Sequence, residues 1–219
     1  MKYRLRDDLT CCRVGNTYVF LDVRNDKYLQ LSGRLEKDFD DYLRNNQFCA
    51  APLVRKGILV ESSGCIPKDP FPVIDPPTRS AFEGRIDGRS NRPSSLVEVA
   101  GLLLMTRFHL LSRSFRTNLA SLQAYRRKRS DPGLKKDASE VLEAVASFHH
   151  ARLQLPVEPT CLLDTIAITK FLSRRGVSAQ MVIGVKLNPF SAHCWAQSNQ
   201  IVLNETLGDA VAYTPIMVV

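Results

Sequence analysis

The sequence lacks the cysteine spacings that a structural zinc site or a disulfide framework requires. None of its six cysteines belongs to a Cys-x-x-Cys pair, and no histidine stands at the spacing of a zinc ligand. No basic and apolar signal sequence opens the chain, so we expect a cytoplasmic protein whose cysteines are free thiols. These absences predict that the protein binds no metal and needs no cofactor.

Long apolar runs are also missing. Residues 102–105 read Leu-Leu-Leu-Met, but Arg107 interrupts this run well before the roughly 20 apolar residues that a membrane span needs. We therefore predict no membrane span.

Acidic residues are scarce in the middle of the chain. Residues 79–136 contain 13 Lys and Arg against 4 Asp and Glu, out of 30 and 22 in the whole chain, so the remainder is nearly neutral. A basic band of this kind is more often a solvated helix face, although it can steer an acidic partner. Because the pattern shows no basic groove interleaved with aromatic residues, the band favours a protein partner over nucleic acid.

The apolar content of 44% over 219 residues is enough for one large or two small cores. Residues 1–64 predict a first module, a small sheet followed by helices at about 32–43 and 50–56. Its three β-like runs, which short turn sequences separate, are residues 10–14, 17–22 and 27–31.

Residues 65–93 hold six of the 12 prolines, and this spacing disfavours helix, so the segment is predicted to be a linker. The pattern then becomes helical from 94 to about 127 and again at 138–151, which predicts the helical layer of a second domain, 94–219. The chain as a whole is predicted to be α+β.

Cys161 stands at the start of a predicted helix. Thr160 is a favourable N-cap residue, and the positive end of the helix dipole favours a thiolate at the first turn. Leu163, Ile166 and Phe171 fall on one broad apolar face, and Arg174-Arg175-Gly176 provides a helix end. The pattern indicates a buried helix that presents a candidate thiol nucleophile.

His193 lies on the first strand of a predicted hairpin, residues 191–197 and 200–204 with a turn at 198–199. Strand alternation puts His193 and Trp195 on one face. A loop of even length places His193 opposite Asn204, and a loop of odd length places it opposite Glu205. Either side chain could orient an imidazole base.

Each of these residues also has a structural interpretation. A cysteine near a helix start is more often a small buried side chain, and a histidine beside a tryptophan on a strand is usually a hydrogen-bonded core residue. The catalytic hypothesis rests on their combination, in which a helix-start thiol, a strand and a hairpin histidine follow one another.

The sequence that carries this combination resembles the transglutaminase-like cysteine protease of lasso-peptide biosynthesis over roughly 141–209. The resemblance is carried by Cys161, by the Arg-Gly-Val exit of its helix, by Ala192-His193-Cys194-Trp195 and by Val202-Leu203-Asn204. In that family the B protein removes the leader of a ribosomally made precursor, and an asparagine-synthetase-like cyclase then closes the ring. The third catalytic residue of the family is usually an Asp twelve positions after the His, where this chain has Glu205.

The resemblance implies a transglutaminase- or papain-like α+β domain with Cys161 as nucleophile, His193 as base and Glu205 as its orienter. Asn204 is the alternative third member. Trp195 is expected to shield the imidazole or to line the substrate cleft. The precursor leader and the cyclase are the implied partners.

The first module resembles a second family, the RiPP recognition element, a winged-helix-like module that binds leader peptides. The likeness lies in three strands followed by a helix, with Tyr-Leu-Gln-Leu-Ser-Gly at residues 28–33. It implies that the leader adds as a strand to the edge of the third strand. The candidate leader-binding residues are Tyr28, Leu29, Gln30 and Leu31 on the strand, and Leu53 and Val54 on a nearby helix.

Two other functions remain open from the sequence. A transglutaminase-type acyltransferase would use the same residues but accept an amine in place of water, and product mass separates it from a peptidase. A non-enzymatic winged-helix protein would bind DNA in a salt-sensitive way, and changing Cys161 would have no effect on it.

Overall fold

The computed structural model describes residues 2–62, 70–83, 93–129 and 137–219. The chain divides into two compact units, one with the residues up to 73 together with 214–217, the other with 74–213 together with 218–219. A strand-rich N-terminal region and a mixed helical and β C-terminal region confirm the predicted α+β class.

The first unit contains β1 (Lys2–Leu5), β2 (Leu9–Val14), β3 (Thr17–Asp22), β4 (Lys27–Gln30) and β5 (Leu59–Ser62). The three strands predicted from the sequence are β2, β3 and β4, which form one antiparallel sheet in that order. Strands β1 and β5 pair with each other and were not predicted, because their partners lie far apart in the sequence.

Two helices, α1 (Arg34–Leu43) and α2 (Ala50–Arg55), cover this region close to their predicted positions. The core is aromatic: the Phe39 ring lies 5.0 Å from that of Phe20 and 5.1 Å from that of Tyr18, both edge-on. Leu53 of α2 is fully buried in the same core.

The second unit is organised around a β-sheet. Its strands are β6 (Arg79–Ser80), β7 (Gln180–Lys186), β8 (Ser191–Ser198) and β9 (Ile201–Val202), in the order β7-β8-β9-β6. The last strand of the chain is β10 (Thr214–Val218), most of which is grouped with the first unit. Strand β8 is antiparallel to both β7 and β9, and β6 runs parallel to β9.

The helices of this unit surround one central helix. They are α3 (Pro93–Ser112), α4 (Phe115–Arg129), α5 (Ala138–Leu153), α6 (Cys161–Ser173) and the short α7 (Leu207–Val211). Helix α6 packs against α3, α4, α5 and β8. Its apolar residues Leu163, Ala167 and Phe171 are buried in the main core, as the sequence pattern predicts.

The single helix predicted from 94 to about 127 is wrong, because the chain breaks between α3 and α4. Ser114 makes the break: its Oγ accepts from the Thr117 N–H at 3.3 Å, and its carbonyl accepts from the Asn118 N–H at 3.1 Å. A serine that caps the next helix competes with continuation of the previous one.

The predicted linker at 65–93 also differs from the structure where it is described. Residues 74–83 belong to the second unit, Arg79–Ser80 forms β6, and Ala81 is buried in the core. Pairing with β9 stabilises this segment, and proline content alone does not reveal such a distant partner. The segments 63–69 and 84–92 lie outside the described residues.

Among the described residues, one helix has the length and composition of a membrane span. The window Ser95–Ser112 of α3 has a mean hydropathy of 1.3 even though Arg107 lies inside it, and 28% of the window is buried. A core helix of a globular domain passes the same test, and Val99, Leu102 and Leu103 of α3 are buried with α6.

Candidate active site

Cys161 is the first residue of α6 and is partly buried. Thr160 has the extended backbone of an N-cap residue, but its side chain makes no cap hydrogen bond, so the predicted cap interaction is wrong. The segment before the helix is instead held by Arg152, whose Nε donates to Asp164 at 2.6 Å and whose Nη2 donates to the Val157 carbonyl at 2.9 Å. This pairing fixes the entry to α6 and thus the position of the thiol.

His193 lies on β8 with its side chain 20% exposed. Its Nε2 is 3.2 Å from Oε1 of Glu205, and its side chain is hydrogen-bonded to Cys161. Because Glu205 occupies Nε2, the other ring nitrogen, Nδ1, is the one left for the thiol. The structure therefore brings together the three residues that the sequence nominates as nucleophile, base and orienter.

The hairpin that carries His193 has a register that differs from both predicted registers. Strand β8 continues to Ser198, the turn is Asn199-Gln200 with Asn199 at φ 51, and Gln197 pairs with Val202. Glu205 is not a strand partner of His193, because β9 ends at Val202. It reaches the imidazole from the loop that follows β9.

Asn204 does not touch the imidazole in the way that the alternative assignment requires. Its Oδ1 accepts from the Ala196 N–H at 2.7 Å, and its Nδ2 donates to Thr165 Oγ1 at 3.0 Å. Thr165 in turn donates to the Cys194 carbonyl at 3.2 Å. Asn204 therefore satisfies the backbone of β8 where β9 no longer pairs with it, and it links that strand to α6.

Cys194 is a site residue that the sequence reasoning did not identify. It is buried and uses both its thiol and its backbone N–H to donate hydrogen bonds to the sulfur of Cys161. It directly follows His193, so its backbone lies at the level of the base. No local pattern marks Cys194, because its role depends on a contact with α6, 33 residues earlier.

These contacts set the protonation of the site. The thiol of Cys194 and then the side chain of His193 lower the pKa of Cys161 to about 4, against the opposing effect of burial. Cys161 and then Glu205 raise the pKa of His193 to about 10. The thiol of Cys194 has its pKa raised, because it donates to Cys161 and is buried. At neutral pH the resting pair is a thiolate and an imidazolium.

The assignment of Trp195 to a substrate cleft is wrong. Trp195 is only 1% exposed, packs with Val182, Val202 and Ala210, and donates from Nε1 to Gln197 Oε1 at 3.0 Å. Strand alternation correctly puts Trp195 on one face with His193, but residues of β7, β9 and α7 cover that face where Trp195 lies. It is a core residue.

Tyr213 takes the place beside the base that was expected for Trp195. Its ring centroid is 5.3 Å from that of His193, its hydroxyl is 3.4 Å from Ser191 Oγ, and Lys186 Nζ lies 4.7 Å from the ring. Gly184 makes room for this arrangement, since a Cβ there would lie 2.8 Å from both Trp195 and Tyr213. Tyr213 is partly exposed and is the aromatic wall of the site.

Two more contacts hold the loop that carries Glu205. His149 Nε2 is 3.0 Å from the Leu203 carbonyl, and Ser80 of β6 donates to the Glu205 carbonyl at 2.5 Å. Burial lowers the pKa of His149, so the ring is neutral at physiological pH and donates from Nε2. The described residues include no group of three or more His, Cys, Asp and Glu side chains that could hold a metal.

The predicted leader-binding residues divide into two groups in the first unit. Leu31 and Leu53 are 5% and 0% exposed in the core, so their assignment to a binding surface is wrong. Gln30 and Val54 are exposed, and Tyr28 and Leu29 are partly exposed. These four residues stay predicted contacts: Tyr28, Leu29 and Gln30 lie on β4, which is an edge strand of its sheet, and Val54 lies on α2.

A comparison with protein families gives one match, to the transglutaminase-like superfamily over residues 102–218. The matched range covers more than half of the chain and contains Cys161, His193 and Glu205. No curated protein and no solved structure matches the chain significantly.

Proposed function

Because the chain belongs to the transglutaminase-like superfamily, whose members are usually cysteine hydrolases or acyltransferases, we propose that it is a cysteine endopeptidase that cleaves the leader from a lasso-peptide precursor. The observation that carries this proposal is the contact of Cys161 with His193, whose Nε2 is 3.2 Å from Glu205. The resemblance of residues 141–209 to the lasso-peptide protease, together with that of the first module to the RiPP recognition element, supports the substrate class.

The first chemical step is acylation. The Cys161 thiolate attacks the carbonyl carbon at the leader–core junction, and the developing oxyanion accepts from the Cys161 backbone N–H, which has no intrahelical acceptor at the first helical position. The tetrahedral intermediate collapses with cleavage of the C–N bond. The His193 imidazolium gives its proton to the leaving amine, which is the N-terminus of the core peptide.

Deacylation reverses the role of the base. Neutral His193 takes a proton from water, the hydroxide attacks the thioester, and the leader leaves with a new carboxylate while Cys161 regains its negative charge. Glu205 stabilises the imidazolium that forms in this step. The freed core amine is then the substrate of the asparagine-synthetase-like cyclase, the proposed partner.

The first unit is proposed to capture the leader. The Leu31 N–H donates to the Tyr18 carbonyl of β3 at 3.5 Å, so alternation points the Gln30 N–H to the outer side of β4. An extended leader could pair along this edge by β-augmentation, with the partly exposed Leu29 of β4 and the exposed Val54 of α2 as its proposed apolar contacts. Capture would raise the local concentration of the scissile bond at Cys161.

Mass spectrometry of a leader-containing precursor, incubated with the wild-type chain or Cys161→Ala in the presence and absence of the cyclase, tests the proposal. We expect cleavage at one junction, with the rate reduced by roughly a thousandfold or more in Cys161→Ala. Leader binding by that variant should be unchanged. Unchanged cleavage in Cys161→Ala would remove the nucleophile assignment.

The same experiment with an added primary amine distinguishes hydrolysis from acyl transfer. A peptidase releases the leader as a free acid, whereas an acyltransferase gives the heavier amide. An amide as the main product at modest amine concentration would contradict the peptidase proposal and favour the transferase.

A further inference from the structure

The outer face of α3 is an apolar surface with no role in the proposed reaction. Five of its large apolar side chains are exposed, with exposed fractions from 59% to 82%: Val97, Leu104, Met105, Phe108 and Leu111. Side chains of this number and size present on the order of 600 Å² of apolar surface, the upper end of what a monomer normally exposes. We call this surface the α3 stripe.

The α3 stripe is continuous. Residues 97, 101, 104, 108 and 111 follow one another at alternating steps of four and three, which places them on one helix face. With Met105 they cover an arc of about 120° and a length of about 20 Å. Gly101 lies within the arc and also has open space around it.

The opposite face of α3 is part of the domain core. Val99, Leu102 and Leu103 are buried with residues of α5 and α6, and Thr106 accepts from Lys170 Nζ of α6 at 3.3 Å. If α3 crossed a bilayer, it would lose these core contacts. Its length and hydropathy alone therefore do not identify it as a transmembrane helix. Only its outer face is available to a ligand.

The charge on α3 and α4 is almost entirely positive. Residues 95–129 contain seven Arg and Lys and a single carboxylate, Glu98. Glu98 is already paired with Arg174 and Arg175 at 3.2 and 2.8 Å. Arg107 lies at the margin of the stripe, and a second group of exposed basic residues ends α4: Arg127, Lys128 and Arg129.

We propose that the α3 stripe binds the surface of a membrane that contains anionic lipid. The apolar arc would enter the boundary between headgroups and acyl chains while the basic side chains of α3 and α4 contact lipid phosphates. A second copy of the chain fits less well, because each copy would bring the same surplus of positive charge and place Arg107 at the contact. Anionic lipid complements that charge and needs no hydrogen bonds from the stripe.

Flotation of the full chain with vesicles tests this proposal. The vesicles contain phosphatidylcholine alone, or phosphatidylcholine with one third phosphatidylglycerol. We expect binding to the anionic vesicles only, and weaker binding as salt is added, since salt screens the basic side chains. Equal binding to both kinds of vesicle, or binding to neither, would overturn the proposal.

Substitutions distinguish vesicle binding through the α3 stripe from nonspecific binding. Leu111→Glu should weaken binding to anionic vesicles by about tenfold, because it removes apolar contact and adds a repelled charge. Leu153→Glu is the matched control, since Leu153 is exposed to a similar extent, 85% against 82%, but lies on α5. Arg127→Gln combined with Lys128→Gln should reduce the preference for anionic vesicles.

Two further results would overturn the lipid proposal. One is a dimer seen by analytical ultracentrifugation without vesicles that Leu111→Glu dissociates, with no vesicle binding by the wild type. The other is vesicle binding that Leu111→Glu and Leu153→Glu weaken equally. Thermal melting of each variant verifies folding, and cleavage by the Leu111→Glu chain shows whether the proposed peptidase is independent of the stripe.

Discussion

At the level of single residues, two thiols in contact have opposite protonation preferences. Cys161 has a lowered pKa because it accepts from the Cys194 thiol and from His193, while burial and donation to Cys161 raise the pKa of Cys194. Cys194 thus acts as a donor to Cys161, the proposed nucleophile. A sulfur placed between a thiol, an amide N–H and an imidazolium is a thiolate at neutral pH.

Changing Cys194 tests this donor role. Cys194→Ala should raise the pKa of Cys161 by about one pH unit, because one neutral hydrogen bond to the thiolate is lost. The pH dependence of alkylation by iodoacetamide measures this pKa. Cys194→Ser, which keeps a donor at the same position, should shift it less, and an unshifted Cys194→Ala profile would contradict the role.

Glu205 should control the alkaline limit of activity. Its carboxylate helps to raise the pKa of His193 to about 10, so Glu205→Gln should lower that pKa toward its ordinary value. The active ion pair needs a protonated His193 and an ionised Cys161. The kcat/KM profile should therefore fall off near pH 4 and near pH 10 in the wild type, as those two pKa values require, and Glu205→Gln should move the alkaline limb to lower pH.

Asn204→Ala is the control for the pH experiment. It should reduce the free energy of unfolding by about 1–3 kcal/mol, because the Ala196 N–H loses its acceptor in a buried strand. The alkaline limb should not move, since Asn204 contacts Ala196 and Thr165. If Asn204→Ala shifted the alkaline limb and Glu205→Gln did not, Asn204 would replace Glu205 as the residue that orients His193.

At the level of secondary structure, the site depends on how β7 and β8 pack against Tyr213. Gly184 of β7 lies opposite His193 of β8 in the register, and Trp195 and Tyr213 close over it. The loop after β9 is fixed separately, by His149 of α5 and Ser80 of β6. Four elements therefore determine where the imidazole and the carboxylate stand.

Gly184→Ala should disturb both stability and catalysis. The added methyl would lie 2.8 Å from the side chains of Trp195 and Tyr213, and such overpacking costs about 1–3 kcal/mol. Displacement of Tyr213 should also lower kcat. Denaturant unfolding and steady-state kinetics measure the two effects.

Gly101→Ala is the matched control for that substitution. Nothing lies within 4 Å of a Cβ at Gly101 in α3, so alanine should stabilise the helix by about 0.5–1 kcal/mol. Kinetics equal to those of the wild type are expected. A loss of stability in Gly101→Ala but not in Gly184→Ala would contradict the packing argument.

At the level of the whole molecule, the proposal divides the work between a unit that captures the leader and a unit that cleaves. Tethering of this kind raises the effective concentration of the scissile bond, and commonly improves binding by about 10²–10⁴-fold. A short junction peptide without the leader should therefore be cleaved with a kcat/KM lower by about that factor. The difference measures how much the first unit contributes.

Gln30→Pro should remove most of that difference. Proline deletes the N–H that points outward from β4, and edge strands tolerate this change. Cleavage of the full precursor should slow toward the rate of the junction peptide, while cleavage of the junction peptide itself is unchanged. Gln30→Ala keeps the N–H and should behave as the wild type; equal effects of both variants would argue against strand addition.

Local patterns in the sequence were enough to predict the strands β2, β3 and β4, the buried helix α6, and Cys161 and His193 as candidates. Each of these depends on residues a few positions apart, through alternation, helical periodicity or a turn. The α+β class followed from their order. The hairpin pattern left Asn204 and Glu205 open as the third residue, and the resemblance to a known family favoured Glu205, at the position of the usual Asp.

Tertiary structure alone decided which candidates meet. Cys194, Tyr213 and His149 act across distances of 20 to 54 residues in the sequence, so no periodic pattern marks them. Trp195 lies on the same strand face as His193, but it belongs to the core because Val182, Val202 and Ala210 pack against it. The Pro-rich segment contains β6 because a partner strand about 120 residues later satisfies its backbone.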